Sequence, residues 1–140
     1  MGRHRFCWVT IVILPLLFNL WSCQRSDTDL QQEAKRSDQA FRQYRTADYV
    51  PAKSALLEFA HQLDKLLAGG STVNAEVYKS DSMVTYVRLA KLEEKNNGSE
   101  REAFMKEAVI RCQQLNIKWG KCSAQELRDR VDRIDSVPPK

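Results

Sequence analysis

Two hydrophobic regimes divide the chain. Between Phe6 and Cys23 the only polar side chains are Thr10, Asn19 and Ser22, whereas beyond Cys23 apolar residues recur three and four positions apart among polar ones. The second regime is the mark of amphipathic helices, and no two-residue alternation long enough to demand a sheet interrupts it. The fold class read from it is all-α, with about five helices in antiparallel hairpins.

Thr28 is placed to cap a first helix, with Gln31 reaching back and Leu30, Ala34, Phe41 and Tyr44 at helical spacing. The break at Thr46-Ala47-Asp48, with Pro51 in a first turn that tolerates its missing N–H, starts a second helix. That helix buries Tyr49, Ala52, Leu56, Phe59, Ala60, Leu63, Leu66 and Leu67 and ends at Gly69-Gly70. A third begins at Asn74, with Val73 and Tyr78 as a hydrophobic staple, and carries Val84, Tyr86, Val87, Leu89, Ala90 and Leu92 to Asn96-Asn97-Gly98. Ser99 and Glu102 read as a capping box for a fourth helix, whose inner face is Phe104, Met105, Ala108, Val109, Cys112 and Leu115. Ser123 and Glu126 repeat the device for a fifth, with Leu127, Val131 and Ile134 inward, and Pro138-Pro139 closes the fold. Short connections favour antiparallel neighbours.

The first regime reads as an address. Met1 to Arg5 is a basic n-region, Phe6 to Phe18 an apolar h-region, and Asn19 to Cys23 a boundary before polar sequence. A signal-anchor helix is the alternative, although Pro15 lies within a run near the lower limit for spanning a bilayer. Leu20-Trp21-Ser22-Cys23 resembles the bacterial lipobox, with Trp21 departing from the small or aliphatic residue usual there. An ordinary signal-peptidase site is the rival, but it would place Leu20 where a small residue is needed. The resemblance implies cleavage before Cys23, lipid on its thiol, and stable anchoring by several acyl chains. Gln24 after the Cys resembles lipoproteins sorted to an outer membrane. The expected organisation is a signal peptide over 1–22, lipidated Cys and tether over 23–28, a helical domain over 29–136 and a tail over 137–140.

That reading alters the composition. The chain has 140 residues with 22 Lys and Arg against 18 Asp and Glu, a formal charge of +4. Removing residues 1–22 takes Arg3 and Arg5 away, leaving 20 basic and 18 acidic side chains, hence +2. A near-neutral, sign-interspersed surface argues against nucleic acid as a partner. Of the four cysteines, Cys7 goes with the signal and Cys23 takes lipid, so Cys112 and Cys122 are the pair available for a disulfide in an oxidising compartment. The alternative is a buried Cys112 and a free Cys122.

Two segments resemble tetratricopeptide helical hairpins. In the first, Ala40, Ala52, Leu56 and Phe59 hold the spacings of that repeat's packing positions; in the second, Tyr86, Leu89 and Ala90 do. Ala103 falls one residue late, Glu107 stands where a large apolar side chain belongs, and Ala40 and Ala90 are 50 residues apart where tandem repeats recur every ~34. The resemblance, over roughly 37 to 115, implies a tetratricopeptide-like arrangement; a small bundle of generic hairpins fits the same residues.

Catalytic chemistry finds little support. His61 is the only histidine after the signal and reads as a surface partner of Glu58. Ser54, Ser80 and Ser82 lack a nucleophile-elbow context. The pairs Glu93-Glu94 and Glu100-Glu102, with Asp129, Asp132 and Asp135, fall on solvent faces or helix starts, the aspartates alternating with Arg128, Arg130 and Arg133. Metal and cofactor motifs are missing. Two features stand out: Trp119 between Lys118 and Lys121 in a loop, either folded onto the core or part of a partner-binding patch, and Arg88 among apolar residues, either covering Tyr and Leu stems or capturing a partner's carboxylate. The expectation is a lipid-anchored, periplasm-facing, non-catalytic adaptor for an envelope protein or peptide. The alternatives are an accessory subunit stabilising an envelope complex and, more distantly, a cell-wall hydrolase.

Overall fold

In a computed structural model, residues 31–70, 74–116 and 120–137 are described. The chain divides into a unit of residues 1–35 and a compact unit of residues 36–140. Among the described residues there are five helical segments and no strand, so the protein is an all-α small helical bundle. The helices are α1 over 31–46, α2 over Tyr49–Ala68, α3 over Ala75–Lys95, α4 over Arg101–Gln113 and α5 over Ala124–Asp135. None of the described helices is long and apolar enough to cross a membrane, and the apolar run of residues 6–23 lies outside the described residues.

Within the compact unit α3 is central, packing against α2, α4 and α5. Its position explains its sequence. A helix touched on several sides has no solvent face to reserve for polar residues, so Ser82, Thr85, Arg88 and Glu93 are buried beside Met83, Val87, Leu89 and Ala90. By contrast α2 is one-sided: Ala52, Leu56, Phe59, Ala60 and Leu63 are buried while Ser54, Leu57, Glu58 and His61 are exposed. The core runs from Ala52 and Leu56 through α3 to Phe104, Met105, Ala108 and Cys112 of α4 and Leu127 and Val131 of α5. Ile134, expected inward, is 41% exposed.

The helix ends follow their local chemistry in three places and depart from it in one. Gly70 takes φ +74° after α2, the left-handed backbone that glycine supplies without strain. Asn97 takes φ 55° after α3. There the Gly98 N–H donates to the Glu93 carbonyl at 2.8 Å and the Asn97 N–H to the Glu94 carbonyl at 3.4 Å, the paired closure of a Schellman turn. Ser123 caps α5, its hydroxyl accepting the Glu126 N–H at 3.3 Å. The expected Ser99 cap of α4 is not formed: α4 begins at Arg101, and the free Glu100 N–H donates to the side chain of Glu93 at 3.1 Å. A buried carboxylate from α3 thus satisfies the N–H of the residue that precedes α4.

Candidate functional site

Three clusters of charged side chains sit where helices meet. The first joins the start of α2, the end of α3 and the start of α4. The side chain of Glu93 is 1% exposed, and its oxygens accept from the Tyr49 hydroxyl, the Lys53 ammonium at 2.8 Å and the Glu100 N–H. Lys53 also reaches Glu100 Oε2 at 2.5 Å and lies 5.5 Å and 5.7 Å from the Tyr49 and Phe104 ring centres. Hydrogen bonds to Glu100 and Glu93 push its ammonium above the ordinary lysine range. In return the Lys53 and Tyr49 bonds hold the Glu93 carboxyl below the ordinary glutamate range, although burial opposes them. Glu93 is therefore a structural anion, contrary to its expected place on a solvent face.

The second cluster centres on Arg111 of α4. Its guanidinium donates to both oxygens of Asp64 at 2.6 and 3.2 Å, to Ser82 Oγ at 2.7 Å and to Glu107 at 3.0 Å, and it lies 4.5 Å from the centre of the Tyr86 ring. Ser82 is thus held as an acceptor in the interior. His61 is exposed on α2, and Glu58, its expected partner, accepts from Gln62 at 3.4 Å.

The third cluster engages Arg88. Its guanidinium donates twice to Asp135 Oδ1, at 2.7 and 3.1 Å, and stacks 4.1 Å from the Phe41 ring centre. Lys91 pairs with Asp132 one turn away. Arg88 is 8% exposed and already holds a carboxylate of its own chain, which removes it from the expected partner-binding patch. Of the α5 aspartates, Asp129 and Asp132 lie on the solvent face as expected, Asp132 reaching Lys91, whereas Asp135, its side chain 13% exposed, serves the joint with α3 instead.

Cys112 and Cys122 form a disulfide with their Cα atoms 5.7 Å apart, tying the end of α4 to the approach to α5. Lys121 is exposed beside it, whereas Lys118 and Trp119 lie outside the described residues, as does Cys23. Among the described residues no three His, Cys, Asp or Glu side chains converge as a metal site.

Two grooves lie where such ion clusters do not. Between α1 and α2, residues 36, 39, 40 and 43 face 55, 58, 59 and 62, the i, i+3, i+4, i+7 rows of two helices. Buried Ala40 and Phe59 line it with Ala55, together with Gln39 and Gln43 of α1, Gln62 of α2, Arg36 and Glu58, around about 230 Å³. Between α4 and α5 a second groove of about 350 Å³ is lined by Met105, Val109, Ile110 and Ala124, with Arg101, Lys106 and Arg128 around it.

Arg111 and Glu93 are the two organising residues that sequence reasoning misses. The i, i+4 pair Glu107 and Arg111 is a sequence trace of the first; Glu93 leaves none, since its partners Tyr49 and Lys53 lie 44 and 40 residues away. Compared with protein-family models, curated proteins and solved structures, the chain matches none.

Proposed function

We propose that the chain is an exported lipoprotein, anchored through Cys23 in the bacterial envelope and facing the periplasm, that works as a non-catalytic adaptor for an envelope protein or peptide. The observation that supports this reading is the glutamine-lined groove between α1 and α2. A carboxamide donates and accepts at once, which matches the alternating N–H and C=O groups of an extended main chain. Glutamines from both helices, lining it with Ala40, Ala55 and Phe59, meet that requirement along the helix axis. The charged side chains at the helix joints are meanwhile spent on one another.

Two measurements test it. Mass spectrometry of the mature N-terminus is expected to show acyl mass on Cys23; an unmodified terminus removes the anchor. A photo-crosslinker at Gln43, used in cells, is expected to capture a small set of exchangeable envelope proteins, with capture reduced by Gln39→Ala and Gln62→Ala. One stoichiometric complex insensitive to those changes favours the accessory-subunit reading instead.

A further inference from the structure

The groove between α4 and α5 differs in kind from the seam that supports the adaptor reading. Its wall is apolar: Met105, Val109 and Ile110 of α4 face Ala124 of α5, and Ile110 is 38% exposed. The lining on α4 runs from Arg101 to Ile110, which at about 1.5 Å per residue is a trough on the order of 14 Å long. Two turns of a helix fit that length, since anchors at i, i+3 and i+7 span about 10 Å.

The rim selects the sign of what lies there. Arg101, Lys106 and Arg128 border the trough against a single carboxylate, Glu102. The pairing of these cations is loose. Arg101 meets Glu94 and Glu102 at 3.7 Å, and Arg128 meets Glu94 at 3.7 Å. Lys106 is exposed, with no carboxylate of the described residues in ion-pair range. Arg128 Nε is buried without a hydrogen-bond partner among the described residues. At the joints of α2 with α3, α2 with α4 and α3 with α5, Lys53, Arg111 and Arg88 are matched by carboxylates at 2.5 to 2.8 Å.

We propose that this trough is a docking surface for an acidic amphipathic helix of a partner protein, its apolar stripe lying on Met105, Val109 and Ile110 and its carboxylates reaching Arg101, Lys106 and Arg128. The charge complementarity of the rim chooses this occupant over a basic helix. The surface is separate from the α1–α2 groove and stands whether or not that groove binds peptide.

The test uses the full-length, oxidised protein and a fluorescein-labelled synthetic helix of 18 residues, with Leu at i, i+3, i+4 and i+7 flanked by Glu. A matched peptide carries Lys in place of Glu. The acidic probe is expected to bind saturably and at least tenfold more tightly than the basic one. Ile110→Asp is expected to weaken it at least tenfold, and Lys106→Glu several-fold, while Lys95→Glu on the exposed end of α3 controls for bulk charge. Should Ile110→Asp fail to fold, judged by circular dichroism, the exposed Lys106→Glu carries the test. Equal binding of the two probes, or indifference to both groove variants, overturns the proposal. A dimer found by sedimentation and abolished by Ile110→Asp overturns it in favour of a second copy of the chain.

Discussion

Replacing Glu93 with Gln isolates the role of the buried carboxylate. The change keeps the shape of the side chain and removes its charge and one of two acceptor oxygens. If the amide nitrogen takes the place of Oε2, the Glu100 N–H loses its acceptor; if it takes the place of Oε1, its own N–H groups face the Lys53 ammonium. Either way one buried donor is left unmatched, worth about 1–3 kcal/mol. Breaking a buried ion pair costs up to about 3–5 kcal/mol, but Lys53 keeps Glu100 and is 21% exposed, so that figure is a ceiling. A loss of about 2–3 kcal/mol is expected at pH 7, which lowers a urea midpoint by about 1–2 M at an ordinary denaturant slope. The pH dependence supplies the sharper check. Because the folded-state carboxyl titrates below its unfolded value of about 4.3, its contribution is complete above that value and is lost as pH falls through the lower, folded value. The other carboxylates are common to both proteins and cancel in the difference. Urea titrations of wild type and Glu93→Gln, followed by far-ultraviolet circular dichroism from pH 7 to pH 2, should therefore show a gap that is constant above pH 5 and narrows in acid. A midpoint unchanged at pH 7, or a gap undiminished at pH 2, refutes the anionic role of Glu93.

Gly98→Ala attacks the same cluster from the backbone side. A Cβ there stands 2.0 Å from Glu93 Oε2 and 2.5 Å from its Cδ, so the carboxylate has to leave its donors, and a loss of about 1–3 kcal/mol is expected. In a Glu93→Ala background the clash is gone and Gly98→Ala should cost much less; additive losses in a double-mutant cycle refute the coupling. Reducing Cys112–Cys122 opens a ring of 11 residues, worth about 2.8 kcal/mol in the chain-entropy account. Coincident urea curves with and without reductant refute that contribution.

How far the fold can be read from the chain depends on how each helix is packed. The one-sided α2 announces its buried stripe, its start at the Asp48 break and its glycine end, and the Ser123 cap of α5 is equally local. In α3 the periodic stripe widens until it loses meaning, because neighbours on several sides bury Arg88 and Glu93 along with the apolar residues. The Ser99 capping box looks as good as the Ser123 one. It fails because the helix starts one residue later than the box requires: Glu100, not Ser99, holds the cap position, and its N–H is taken by Glu93, brought back by the turn at Asn97 and Gly98. Arg88 shows the same limit at the candidate site. A cation among apolar residues does signal a captured carboxylate, but only the tertiary structure reveals that the carboxylate is Asp135.

The three ion clusters and the two grooves are complementary parts of one arrangement. Leu, Val and Ala on helices of similar width permit several registers, since apolar contacts are non-directional. A buried charge permits one. Shifting α3 by a turn against α2 strands Glu93 without Lys53, and shifting α4 strands Arg111 without Asp64, each leaving a desolvated charge unmatched. Clusters therefore sit on the joints of α2 with α3, α2 with α4 and α3 with α5, the last through Arg88 and Asp135. Among the described residues no ion pair crosses from α1 to α2 or from α4 to α5, and those are the seams that stand open. The α4–α5 approach is tied instead by Cys112–Cys122 at one end, which fixes where α5 starts without filling the trough beyond it. Charge at the joints thus sets the frame rigidly enough for the unclamped seams to keep their width, and a partner that enters either seam meets a preformed surface with little ordering left to do.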